Sequence, residues 1–205
     1  MPCYNPNQTI DDSITWVPTS NGIYTAASAL KHIKPDPPSV PWFKLVWFPQ
    51  NIPRMSFILW LAIRGRLSTT DRFHAPNAST TCILCSSYME SHSHLFFDCD
   101  FSRSVWSHLM NMCGSPWNGS DWFSFIDWAA IHWKGTSLPI KVKKLCLGGA
   151  VYAIWRERNN RLFGGSKKTS LMVTRDIINV IRNRLISLDL RSWPGIASTW
   201  NVPTP

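Results

Sequence analysis

Acidic residues are scarce in this chain of 205. Twelve Asp and Glu stand against 21 Lys and Arg, and only three of the acids lie beyond residue 140. A nuclease centre of the RNase H type needs several carboxylates converging on metal ions, and three acids cannot supply one in the C-terminal third. Long apolar runs are missing too. The longest spans residues 145–155, well short of the ~18 residues that cross a bilayer, so no membrane is expected as a partner. The first residues, Met1 to Thr9, contain neither a basic nor an apolar region, so no secretory signal is expected and the protein should be soluble and intracellular, whether nuclear or cytoplasmic. What the chain does have is apolar and aromatic bulk. With 44% hydrophobic residues, 13% aromatics and twelve tryptophans it is no disordered chain, and its length suits one or two domains with a real core.

Six cysteines would allow three disulfides, but a chain without an export signal meets reducing conditions, which favours metal binding. Their spacing agrees. Cys82 and Cys85 form a Cys-x2-Cys pair, the spacing at which a tight turn aims two thiolates at one ion, and His94 and Cys99 supply a second pair through a four-residue gap. Three thiolates and an imidazole suit tetrahedral zinc, and four protein ligands close its shell, as in structural rather than catalytic sites. His92 is the rival ligand; His94 is preferred because its gap to Cys99 resembles zinc-knuckle spacing. Cys3, Cys113 and Cys146 read as spare thiols, more suited to burial than to chemistry. A Cys/His hydrolase built on Cys99 or Cys113 lacks an identifiable orienting acid or oxyanion motif. Sequon-like triplets at Asn7, Asn77 and Asn118 read as chance matches in an intracellular chain.

The cysteine pair sits inside a longer pattern: Pro41-Trp-Phe-Lys-Leu-Val-Trp47, Ile52-Pro-Arg-Met-Ser-Phe-Ile-Leu-Trp60, His94-Leu-Phe-Phe-Asp-Cys99 and Phe101-Ser-Arg-Ser-Val-Trp106. This pattern resembles the zinc-binding domain that follows the polymerase in plant non-LTR (LINE-type) retrotransposon reverse transcriptases. Asp12-Ser-Ile-Thr-Trp16 with Gly22-Ile-Tyr-Thr25 is similar to the entry of that domain, and Ile154-Trp-Arg-Glu-Arg-Asn-Asn-Arg-Leu-Phe163 to a segment downstream of it. The resemblance implies an accessory domain that helps a polymerase engage template or target. The polymerase itself is not in this sequence: its paired aspartates would sit in a Tyr-x-Asp-Asp-type turn, and the lone pair Asp11-Asp12 lacks that aromatic context.

The expected fold is mainly α, with a small N-terminal β-hairpin, an embedded Cys3His zinc module and a helical C-terminal part. Residues 13–26 alternate around Asn21-Gly22 and predict the hairpin, followed by a helix over 25–33. Trp42–Trp47 predicts a short helix. Pro53 opens a longer one, apolar on every face over 57–63 and therefore expected to be buried, which Gly65 ends. Asp100 can cap a helix carrying Phe101, Val105, Leu109 and Met112 on one face. The polar residues 116–120 predict a boundary between a zinc-binding domain, 1–115, and a basic helical region, 116–205. Beyond it, apolar periodicity predicts helices over 122–133, 139–163 and 171–188. Gly148-Gly149 either breaks the second of these or lets a neighbour approach.

Charge is divided unevenly. Residues 1–140 hold nine basic and nine acidic residues, residues 141–205 twelve against three, so the whole net charge of +9 belongs to the last third. Such asymmetry is a footprint for polyanions, and RNA or DNA is the expected partner. Arg156, Arg158, Arg161, Lys167 and Lys168 are the candidate phosphate contacts, expected on solvated helix faces. The competing interpretation is a protein-interaction or purely structural module, which the aromatic content and the lack of a recognisable RNA-binding motif allow. Tryptophans at helical spacing fit a core better than a base-stacking platform.

Overall fold

The computed structural model describes residues 13–34, 40–72, 80–115 and 121–203. The chain divides into two compact units, Met1–Val40 and Pro41–Pro205. The expected division at 115/116 does not coincide with these units, and the turn-rich residues 116–120 that motivated it lie outside the described residues.

In the first unit, α1 (Ala26–Ile33) begins at a capping box. The Thr25 hydroxyl accepts from the Ser28 amide at 3.0 Å, and the Ser28 hydroxyl accepts from the Thr25 amide at 3.1 Å. The small N-terminal β-hairpin is not formed, and no β-strand occurs among the described residues. Gly22 does take the left-handed conformation a turn requires, φ 66°, and the Trp16 amide donates to the Gly22 carbonyl at 2.8 Å. Pairing goes no further. Ile14, Val17, Ile23 and Tyr24 are all exposed, so the edge-on contact of Trp16 with Tyr24 at 5.1 Å has no apolar face around it to clamp the two arms, and Pro18 removes a donor from one of them.

The second unit is helical: α2 (Phe43–Val46), α3 (Pro53–Ile63), α4 (Asp100–Met112), α5 (Trp122–His132), α6 (Leu138–Leu162), α7 (Ser170–Ile186) and α8 (Pro194–Thr199), the last not anticipated from sequence. Pro53 sits in the first turn of α3, where its missing donor costs nothing, and Gly65 closes the helix at φ 57°. The burial expected on every face of α3 is not realised. Met55, Ser56, Leu59 and Ala62 are buried while Phe57 is exposed, because other elements cover only one side. The Asp121 carboxylate caps α5 by accepting from the Phe123 and Ser124 amides at 3.0 and 3.2 Å.

Helix α6 runs unbroken through Gly148-Gly149. A Cβ on Gly149 would stand 2.9 Å from Ile177 Cγ2, and one on Gly148 3.6 Å from Met55 Cβ. Gly149 therefore leaves room for α7 beside α6, and Gly148 stands at ordinary contact with α3. One apolar core runs from Leu45 to Val202, and its aromatic part joins Phe97, Trp106, Trp122 and Phe125 at centroid separations of 5.3–6.2 Å. The tryptophans of α4 and α5 thus build the floor on which the cysteine loop rests. No helix among the described residues is long and apolar enough to cross a membrane.

Candidate metal centre

The first cysteine pair lies in a turn held by backbone bonds. The Ser86 amide donates to the Cys82 carbonyl at 2.7 Å, and Ser86 itself takes φ 58° to reverse the chain. An isolated antiparallel bridge, Thr81 to Met89, closes the loop behind it. Flanking bonds of 2.7 Å run from the Cys82 amide to the Tyr88 carbonyl and from the Glu90 amide to the Thr80 carbonyl.

The second pair depends on an unusual element. His94–Asp98 is a single π-helical turn, and the Cys99 amide donates to the His94 carbonyl five residues back at 2.8 Å. In an α-helix, at ~100° per residue, side chains five apart would diverge by ~140°. The wider π turn brings His94 and Cys99 to the same side. Distant groups satisfy two of its carbonyls: the Ser102 hydroxyl donates to Leu95 O and the Trp106 indole to Phe96 O, both at 2.6 Å. Trp106 therefore supports the turn chemically as well as by packing. Cys99 is also the N-cap position of α4, where the positive end of the helix favours a thiolate.

Together these elements converge the ligand atoms of Cys82, Cys85, His94 and Cys99 to within 4.8 Å of one another. Cys82 Sγ lies 3.9 Å from Cys99 Sγ, and Cys85 Sγ 3.3 Å from His94 Nε2. Tetrahedral zinc with Zn–S of about 2.3 Å and Zn–N of about 2.0–2.1 Å sets its ligands about 3.8 Å (S to S) and about 3.6 Å (S to N) apart, so the donor set fits the ion in both spacing and chemistry. Cys82, Cys99 and His94 are buried and Cys85 half-buried, leaving little solvent access. A hydrogen bond from the Cys99 thiol, helped by the Cys85 and Leu84 amides, pulls Cys82 down to about 5; the same bond, together with burial, pushes Cys99 up. The pair therefore favours a thiolate on Cys82, and the remaining thiol protons leave as metal enters.

His92 is directed elsewhere. Its ring packs against Phe96 at 5.0 Å and Trp122 at 5.1 Å, and burial, with the charge of Arg72, pushes it down to about 4. It is absent from the four-residue cluster. His94→Ala is expected to abolish zinc retention. His92→Ala is expected to keep stoichiometric zinc while losing some stability through its vacated aromatic pocket. Elemental analysis of the two purified variants checks this, and the reverse order would overturn the assignment of His94.

Sequence reasoning missed how the metal loop is locked to α6. The Glu90 carboxylate is fully buried and meets the Arg158 guanidinium in a two-pronged pair, Oε1 to Nη2 at 2.7 Å and Oε2 to Nε at 3.2 Å. It also accepts from the Thr70 amide at 2.8 Å. Arg161 reaches the cysteine turn itself, donating to Leu84 O at 3.0 Å and Ile83 O at 3.3 Å. Its other donors go to Glu157 at 2.8 Å and Lys168 O at 2.7 Å. The only early signal was the repeat of arginines on α6, which sequence cannot distinguish from a solvated face.

The five candidate phosphate contacts are accordingly split. Arg156 and Lys167 are exposed and have no partner among the described residues. Lys168 is half-buried and paired with Asp176 at 2.6 Å. Arg158 is 2% exposed and Arg161 is enclosed by its acceptors, so the expected solvation of these two is not found. Lys144, another member of the basic third, is buried over the Phe48 ring, and burial pushes it down.

Residues 24–106 match the family model described as zinc-binding in reverse transcriptase, a stretch that contains all four converging residues. No curated protein and no solved structure matches the chain significantly. The matched domain is the zinc-binding one, not the polymerase, and zinc is the cofactor that the family and the donor set both indicate.

Proposed function

We propose that this chain, which carries a zinc-binding domain of the reverse-transcriptase type, uses Cys82, Cys85, His94 and Cys99 to hold one structural zinc and binds RNA or DNA without catalysing a reaction. The parent context would be a LINE-type element of plants, in which such a domain helps the polymerase grip its template or target. Four protein ligands leave no open position on the metal, which favours a folding role over hydrolysis.

The observation that carries the nucleic-acid reading is a groove between α3, α6 and α7 in which Arg54, Arg156 and Tyr152 line the wall, while its two carboxylates, Glu157 and Asp176, are already paired with Arg161 and Lys168. Arg54 lies 5.7 Å above the Tyr152 ring, and neither it nor Arg156 has an acidic partner among the described residues. Several other cations of the C-terminal third are tied to carbonyls, as Arg182 is to Trp200 O and Arg184 to Gln50 O, whereas Arg175 is exposed like Arg156. Unpaired guanidinium groups beside a tyrosine offer phosphate contacts and a stacking face together.

A gel-shift titration with single-stranded RNA, single-stranded DNA and duplex at two salt concentrations tests this. Log affinity should fall with log salt by about 0.7 per phosphate contact on single strands, and replacing Arg54, Arg156 and Lys167 by Gln should flatten that slope by up to about two units with zinc content unchanged. The second reading is a module for a protein partner, supported by Leu30 and Ile33, which α1 leaves exposed. Feeble binding of every nucleic acid by folded, zinc-loaded protein, or a salt slope indifferent to the substitutions, would decide for it.

A further inference from the structure

Outside the metal cluster, two thiols stand together. Cys113, the C-cap of α4, and Cys146, in the first half of α6, are 33 residues apart in sequence, yet their sulfurs lie 3.5 Å apart. Cys146 is fully buried, whereas Cys113 is half-buried at the helix end. Neither belongs to the group that could hold the metal.

We infer that Cys113 and Cys146 form an oxidative modification site, closing to a reversible disulfide when the protein meets a peroxide. The sulfurs are already at van der Waals contact, and a bond of about 2.05 Å needs them to close by roughly 1.5 Å. That movement falls at the end of α4 rather than in its middle, since Gly114 beside Cys113 already leaves the helix at φ 60°. Access orders the two steps. The Cys113 thiolate attacks one peroxide oxygen and the O–O bond breaks; Cys113 becomes a sulfenic acid, and the departing hydroxide takes a proton to become water. Cys146, shielded from the oxidant but touching Cys113, then attacks the sulfenic sulfur. The S–O bond breaks, and the hydroxyl leaves as a second water with the Cys146 proton. Two thiols lose two electrons in all, and the peroxide gains them. The hydrogen bond that Cys146 gives Cys113, with the charge of Lys143, lowers Cys113, while burial raises Cys146; this matches an attacking and a resolving partner.

The bridge would enclose α5 and join α4 to α6, removing freedom from the unfolded chain. Zinc-loaded full-length protein would be treated with stoichiometric hydrogen peroxide, alkylated in denaturant and mapped without reduction by mass spectrometry. The expected product is a linked Cys113–Cys146 peptide that dithiothreitol removes, with zinc retained and the unfolding midpoint raised by roughly 5–15 °C. Cys113→Ser, at the half-buried position, should fold, keep zinc and lose both the linked peptide and the midpoint shift. Cys146→Ala should do the same where it folds. Zinc release with oxidation of Cys82, Cys85 or Cys99 ahead of any Cys113–Cys146 link would overturn the inference. So would a Cys113 that proceeds to sulfinic acid while Cys146 remains alkylatable.

Discussion

Cys85→Ser is expected to purify without stoichiometric zinc and with residues 80–113 unprotected against amide exchange. Zinc in small structural sites contributes an apparent 10–16 kcal/mol, comparable with or greater than the net stability of a whole domain at about 5–15 kcal/mol. The segment that holds the ligands has little else to order it locally: one isolated bridge, a reversing Ser86 and a single π turn whose carbonyls lean on Ser102 and Trp106. Without the metal, three thiols and an imidazole packed within 4.8 Å lose the ion that compensates their burial. The turn then has no reason to keep its widened form, and α4 loses the fixed N-terminus that Cys99 provides. Chelation of the unmodified protein should produce the same exchange pattern. Because the ligands must be deprotonated, zinc should also leave more readily as pH falls. A variant that lacks zinc yet keeps full protection over 80–113 would show that the metal does not fold this segment.

Arg158→Ala is expected to lower the free energy of unfolding by about 3–5 kcal/mol, whereas Arg156→Ala, two residues away on the same helix, should change it by less than about 0.5 kcal/mol. The contrast comes from partners and burial. Arg158 is 2% exposed and holds both oxygens of the fully buried Glu90. Removing the guanidinium leaves that carboxylate in the interior with the Thr70 amide as its remaining partner. Arg156 faces solvent, and its loss strands nothing. Replacing both members of the buried pair, Glu90→Leu with Arg158→Met, should recover much of the loss, since no unpaired charge then remains inside. Urea unfolding of the three variants reads these differences directly. Equal, small effects for Arg158→Ala and Arg156→Ala would mean that the buried pair does not hold the metal loop to α6.

The two results bear on one question, how the cysteine loop is attached to the rest of the chain. Zinc shapes the loop from within, and Glu90 with Arg158 fastens it to α6 from outside. Loss of nucleic-acid binding in an Arg158 variant would therefore report a displaced loop rather than a missing phosphate contact. Arg54, Arg156 and Lys167 are the positions at which binding can be probed without touching that attachment.

Whatever depends on neighbours along the chain was legible from residue order alone. Periodicity marked α3 through α7 nearly to their ends, and Pro53 opens α3 within a single turn of its own position. Asp100, however, expected as the cap of α4, is that helix's first residue, while Cys99 holds the N-cap position. Donor chemistry and spacing picked out Cys82, Cys85, His94 and Cys99, which the structure converges. The rest depended on contacts between distant parts of the chain. Alternation around Asn21-Gly22 was a local signal with no face to pack against, so the hairpin failed while the turn survived. The π turn that aligns His94 with Cys99 is supported by Ser102 and Trp106, contacts no spacing rule contains. The fate of the basic residues was least legible, because an arginine's role depends on what stands opposite it. Glu90 is 68 residues from Arg158, and the Leu84 carbonyl is 77 from Arg161. Helical period assigns a side chain to a face, but burial of a charge requires a partner delivered by a distant part of the fold.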